Sequence, residues 1–368
     1  MSTSVWRTRL STIVWFVLVL GVVLSLPVVM DISGWLIIAF VVTSVVLAAP
    51  LVWVWRRLFC SGTGSLKIGA WLRTSVALWA ALCIATALPF YYLATVTEVR
   101  PALAPQVTLS NGDKTVVFQG MMHVGSENFY KAVIYDVEKA LADDYVLYYE
   151  GVQTNSPESE AFFAKLSQTL TGGQDLSAVY TALGQACGLK FQSEYFTLLE
   201  ADQAEHPERH VIADVDALEM KQEYERLMQE DPAFAERYAT VFDDHGTDTN
   251  NDDSIAEAVQ WLENGSDGQR KLAGIICRGL MSISYSQEGQ ADQDTPLSEL
   301  ILEYRNQSLA QRIVAEPNPR IFITYGARHL PGVVALLKQA DPAWSVESVK
   351  WLRAIEAPKR FDATLDLP

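Results

Sequence analysis

Thr115–His123 reads TVVFQGMMH, and Arg320–His329 reads RIFITYGARH. Each is a run of β-branched and aromatic residues, then Gly, two residues and His. Such runs favour strands. The glycine lacks a Cβ, tolerates positive φ, and lets the chain turn sharply at the strand end. Each histidine then falls just past a carboxyl end, where open α/β sheets place their ligands. The chain has only five histidines, so two in one local context are informative. A single Gly-x-x-His is weak evidence. The pair raises the expectation of a two-histidine site, such as a bound metal.

Outward from the first motif, Val107–Ser110, Asn111-Gly112-Asp113 and Lys114–Gln119 read as a β-hairpin with an Asn-Gly turn signal. Ser126 can cap a helix over Glu127–Leu141, with Val133 and Val137 on one face. Tyr145–Tyr149 is the next strand and ends at Glu150. This order is a βαβ unit, so His123 and Glu150 are expected to face one crevice. His210–Val215 is a further strand, carrying Asp214 and followed by Asp216. Residues 155–205 and 217–285 read as helices, broken at Gly172-Gly173, Gly184, Gly188 and the acidic loop 243–253. Pro296 can open a helix to Ala315, with Leu297, Leu300, Ile301, Tyr304 and Leu309 at helical spacing and Arg305 on the stripe's edge. Pro331–Lys338 reads as a helix and Trp344–Trp351 as a closing strand. The alternation predicts an α/β fold: a mixed, mostly parallel sheet with flanking helices and a helical insertion between the two His strands.

The amino-terminal part differs. Uncharged apolar runs cover Leu10–Met30, Ile32–Trp55 and Thr74–Thr97, of 21, 24 and 24 residues. A helix needs about 20 apolar residues to cross the hydrocarbon core. Three transmembrane helices are expected, with residues 1–99 as membrane domain and 100–368 as the α/β domain. The first run lacks a convincing cleavage site, which argues against a signal peptide. Arg7 and Arg9 precede the first span, and Arg56, Arg57, Lys67 and Arg73 lie between the second and third. Positive residues stay on the cytoplasmic side. The amino terminus is therefore expected inside and the α/β domain outside, in an inner (cytoplasmic) membrane. Residues 101–368 hold 21 basic against 42 acidic residues, which argues against nucleic acid as a partner.

Several candidates compete for function. Glu150, on an otherwise apolar strand, would be costly to bury unpaired; its bland alternative is a salt bridge to a structural arginine. His206 and His210 have metal-like spacing, but Pro207 and the following strand favour a solvated loop. His245 lies among Asp248, Asn250 and Asp252, which imitate the start of a calcium loop, but the Gly and Glu such a loop needs are absent. Cys187 and Cys277 either pair or remain separate buried thiols. No Gly-x-Ser-x-Gly elbow or Gly-rich phosphate loop is present.

Taken together, VFQGMMHVGSENF, YYEG, LEYRNQSLAQRI and ITYGARHLPGVVALL resemble the TraB/GumN/Tiki family, within the group that includes erythromycin esterases and ChaN-like haem-binding proteins. The resemblance covers both ends of the α/β domain and none of the membrane part. It implies metal binding by His123 and His329 in the two Gly-x-x-His motifs, with Glu150 as a further ligand or as the base. It implies that Arg305 stabilises an oxyanion and that Asn306 orients a ligand or the substrate. Tiki-like members are metal-dependent proteases, so the expectation is a membrane-anchored hydrolase, a peptidase acting on peptide or protein with Mn, Co or Zn. Met121-Met122 and Arg328 are bulkier than the family's usual residues. Two alternatives stand beside it: a non-enzymatic haem- or peptide-binding protein, with Met121 and Met122 as soft contacts, and a metal-independent esterase using His as base.

Overall fold

A computed structural model describes residues 3–59, 68–171, 176–242, 264–287 and 297–358. Cys60, Lys67, Gly172-Gly173, the acidic loop 243–253 with His245, and Pro296 lie outside the described residues. The chain divides into two compact units, Met1–Val96 with Gln260–Gly279, and Thr97–Val259 with Leu280–Pro368. Cys187 and Cys277 are both disulfide-bonded.

The first unit holds helices Thr3–Ile32, Trp35–Phe59 and Ile68–Val99. All three are long and apolar enough to cross a membrane. Its later segment packs on the ends of two of them. Leu272 and Ile275 meet Val28, Ile32, Ala87 and Phe90, and the Gln269 amide donates to the Ile32 carbonyl at 3.0 Å. This segment therefore meets the carboxyl-terminal halves of the first and third helices.

In the second unit, a six-stranded sheet has the order β6-β4-β7-β2-β1-β8. The strands are β1 Leu103–Ser110, β2 Thr115–Met121, β4 Val146–Tyr149, β6 His210–Ile212, β7 Arg320–Gly326 and β8 Ser345–Arg353. Strands β2, β7, β4 and β6 run parallel, while β1 is antiparallel to both neighbours. The hairpin forms at the expected place. Asn111 Oδ1 accepts from the backbone N–H of Lys114 at 2.8 Å and Gly112 has φ +94°, the left-handed backbone that glycine tolerates.

The two His strands are direct parallel neighbours, with Phe118 opposite Ile323, Gly120 opposite Tyr325 and Met121 opposite Gly326. One feature differs from a simple βαβ reading: β7 inserts between β2 and β4, so His123 and Glu150 follow strands two places apart. Helix Glu127–Ala142 still starts at Ser126, whose hydroxyl accepts from Phe129 N–H. Val116, Phe118, Ile321, Ile323, Leu309, Ile313, Val333 and Leu337 share one buried cluster, so the sheet packs on helices Arg305–Ala315 and Leu330–Ala340. Each such side chain contributes about 1.5–3 kcal/mol by burial. A satellite cluster joins Phe162, Met220, Phe234, Leu297 and Leu300.

The segment before Arg305 is irregular. Leu297 has φ +57°, and Glu299–Tyr304 winds as a π-helix before the α-helix Arg305–Ala315. π-Helical turns recur at functional sites, and this one delivers Arg305 and Asn306. A two-stranded ladder, β3 Val124–Gly125 with β5 Lys190–Phe191, ties the helical insertion to the residues after His123.

Candidate active site

The carboxyl ends of β2, β7, β4 and β6 gather the site. His329 ends the 3₁₀ turn Ala327–His329 after β7 and is buried. Its Nδ1 lies 2.7 Å from Asn306 Oδ1. An amide oxygen only accepts, so the imidazole donates from Nδ1 and keeps its lone pair on Nε2. That Nε2 lies 3.9 Å from Glu150 Oε1.

Glu150 follows β4. Its Oε1 accepts from Arg305 Nη2 at 2.7 Å, and its Oε2 accepts from the Gly326 backbone N–H at 2.7 Å. Arg305 is largely committed. Nε donates to Asp214 Oδ1 at 2.9 Å, Nη2 to Asp214 Oδ2 at 2.6 Å, and Nη1 to the Ile301 carbonyl at 3.4 Å. Its guanidinium also sits 5.2 Å from the centre of the Tyr325 ring, and that ring meets the His329 imidazole edge to face at 4.7 Å. Tyr325 is fully buried, and its hydroxyl has no hydrogen bond of good geometry among the described residues.

His123 lies between β2 and β3. The Gln192 side-chain amide is 3.0 Å from its Nδ1, Gln192 N–H donates to its carbonyl at 3.0 Å, and Tyr180 stacks on its ring at 4.5 Å. The insertion thus orients the first histidine, as Asn306 orients the second.

The motif glycines act through space rather than backbone freedom. Neither Gly120 nor Gly326 has positive φ, contrary to the expectation of a sharp left-handed turn. A Cβ on Gly120 would lie 2.9 Å from Ala327 Cβ and 3.0 Å from the Pro105 carbonyl oxygen. One on Gly326 would lie 3.3 Å from Glu150 Oε2. Glycine here permits close approach of the two motifs and of the carboxylate.

Charge is distributed unevenly. Burial alone would raise the Glu150 and Asp214 carboxyls, but Arg305 and the accepted hydrogen bonds bring both below their ordinary values. Burial would likewise lower Arg305, but Tyr325, Glu150 and Asp214 hold its pKa well above the usual value. Burial lowers His329 to about 4, with Arg305 adding to it, and burial also lowers His123. Near neutral pH these five groups comprise two anions, one cation and two neutral imidazoles.

Imidazole and carboxylate are donor types that divalent first-row cations take. The imidazoles do not compete with protons for a metal and one negative charge remains uncompensated. His329 donates from Nδ1, as is usual for metal-bound histidine, whereas the Gln192 amide nitrogen donates to His123 Nδ1, which places the His123 proton on Nε2. Donors 3.9 Å apart can share an ion that binds each at about 2.0–2.2 Å. Among the described residues, no group of three or more His, Cys, Asp or Glu side chains is placed to hold a metal ion.

Other candidates separate from this site. His206 lies beside Glu208, Nδ1 to Oε1 3.7 Å, on an exposed turn. His210 is not in a solvated loop: its side chain is buried at the start of β6, with Nε2 2.6 Å from Asp202 Oδ2. Met121 and Met122 are both buried and pack in the core. Sequence reasoning missed the roles of Asp214, Gln192 and Tyr180. Asp214 had a signal, an acid at a strand's carboxyl end; the other two come from the helical insertion and carry no local signal. No family model, curated protein or solved structure matches this chain.

Proposed function

We propose that this chain is a membrane-anchored, divalent-metal-dependent hydrolase, a peptidase of the TraB/GumN/Tiki type. One observation carries the reading: His329 Nε2 and Glu150 Oε1, 3.9 Å apart, are each fixed from behind, beside a net negative charge. His329 would hold the ion through Nε2 and Glu150 would supply an anionic oxygen; His123 would join them once the Gln192 amide turns its oxygen to Nδ1 and the lone pair moves to Nε2. When bound, the ion acts as a Lewis acid that polarises the scissile carbonyl and makes water nucleophilic near neutral pH. Asn306 fixes the His329 tautomer. Arg305 keeps Glu150 ionised, and its charge stabilises a developing oxyanion through the local field, since most of its donors are engaged. Chelated full-length protein should cleave a peptide library only after Mn, Co or Zn is restored, and His329→Ala should not recover. Absence of cleavage under every metal would sink the peptidase reading.

A second reading is hydrolysis without metal and with His329 Nε2 as base, favoured by the Asn306 contact that holds the proton on Nδ1 and the lone pair on Nε2. Full activity in chelator would select it.

The catalytic unit lies outside the cytoplasmic membrane in this proposal, because Arg56, Arg57, Lys67 and Arg73 hold the second loop inside. A reporter that fluoresces only in the cytoplasm, fused after Pro368, should stay dark; a bright signal would invert the orientation.

A further inference from the structure

Strand β8 closes one edge of the sheet, and every residue in it except Leu352 is exposed. Its exposed apolar residues are not scattered. Val349 pairs with Val107, Trp351 with Pro105 and Val346 with Leu109. Cross-strand partners point to the same face, so Val346, Val349 and Trp351 form one stripe. They are 46, 48 and 59 % exposed. The inner partners Val107 and Leu109 are buried in the main cluster, so the stripe extends a core face past the point where helices cover it. A long edge strand with outward apolar residues is a template for pairing unless something covers it.

We propose that a second copy of this chain covers it, by antiparallel pairing of β8 with β8 across a twofold axis perpendicular to the sheet. Such an axis keeps each residue on its own face, so residues of like parity must pair. In the register centred on Lys350, Glu347 faces Arg353 of the other copy and Val349 faces Trp351, each twice. The charges at 347 and 353 and the apolar residues at 349 and 351 are then complementary to themselves, with Arg353 also 4.0 Å from Glu356 of its own chain. Lys350 meets its own counterpart at the axis, but its ammonium is already 2.6 Å from Asp136 of its own chain, which relieves the repulsion. The β1–β8 ladder shifts register between Thr108 and Leu109, leaving Glu347 as the extra residue on the β8 side. Bulges aim such side chains and end pairing; this one limits the joint to about seven residues.

Charge reversal tests the register on the full-length protein in detergent or nanodiscs. Wild type should be dimeric by light scattering. Glu347→Arg or Arg353→Glu alone should weaken the dimer at least roughly tenfold, because like charges then face each other. The double exchange, Glu347→Arg with Arg353→Glu, should restore it. Under mild oxidation Lys350→Cys should cross-link to itself, while Ser348→Cys, off the axis, should not. These sites are exposed, so the variants should fold. A monomeric wild type, a dimer indifferent to both single reversals, or a double exchange without rescue would overturn the proposal. So would a monomer in which a dye at position 350 responds only to lipid vesicles, which would give the face to a bilayer.

Discussion

Asn306 Oδ1 lies 2.7 Å from His329 Nδ1, and Gly332 makes the room for this contact. A Cβ on Gly332 would collide with the Asn306 amide nitrogen and lie 3.0 Å from its Cγ. Gly332→Ala should therefore displace the Asn306 amide. Alanine favours a helix over glycine by up to about 1 kcal/mol, but a buried His329 N–H left without its acceptor costs about 1–3 kcal/mol, so the melting temperature should fall modestly. Metal affinity or activity should fall by about 10–100-fold, as for other partners behind a metal ligand. Unchanged metal binding with unchanged stability would show that the Asn306 contact does not orient His329.

Asp214 is fully buried, and both its oxygens bond Arg305. Removing one member of a buried ion pair typically costs about 3–5 kcal/mol, because the other charge is left uncompensated. Asp214→Ala should lower stability by that order in chemical denaturation. A loss below about 1 kcal/mol would mean that Glu150 alone satisfies Arg305.

Lys114 holds the end of the helix that carries Arg305 and Asn306. Its Nζ donates to the carbonyls of Ile313 at 2.9 Å and Val314 at 2.7 Å. Charged hydrogen bonds contribute roughly 1.5–3 kcal/mol, so Lys114→Met should lower the melting temperature. The site lies at the other end of that helix, so KM at permissive temperature should not change. A selective loss of activity without a thermal shift would contradict this purely structural role.

The pH dependence follows from His329, which titrates at about 4 in the fold against about 6.5 unfolded. The fold favours the neutral ring, so this contribution is complete above about pH 6.5. It is lost as pH falls towards 4, because the unfolded chain gains the proton first. Thermal scans of chelated protein from pH 7.5 to about pH 4.5 should show falling stability, with part of the slope removed in His329→Gln. An identical slope in the variant would show that other groups govern it.

How much of this was legible in the sequence depends on range. The paired Gly-x-x-His strands, the Asn111–Lys114 hairpin, the Ser126 cap and the three apolar spans rest on local chemistry and were readable. The insertion of β7 between β2 and β4 was not, because periodicity does not encode strand order. The β3–β5 ladder has two residues a side, too short to leave a pattern. Gln192 and Tyr180 meet His123 from the helical insertion, and a polar or aromatic residue on a helix has no mark of its eventual partner. Glu150 makes the salt bridge to an arginine that was its bland reading, with Arg305, and lies 3.9 Å from His329 Nε2. The glycines were read as turn formers, whereas their missing side chains make space for Ala327, Pro105 and Glu150.

The proposed function requires that His329, Glu150 and His123 hold a divalent ion. The most direct measurement is elemental analysis of purified full-length protein after dialysis against trace Mn, Co and Zn, beside His329→Ala. Stoichiometric metal is expected in the wild type and its loss in the variant. Wild-type protein that binds none of the three ions, yet melts as one folded species, would contradict it.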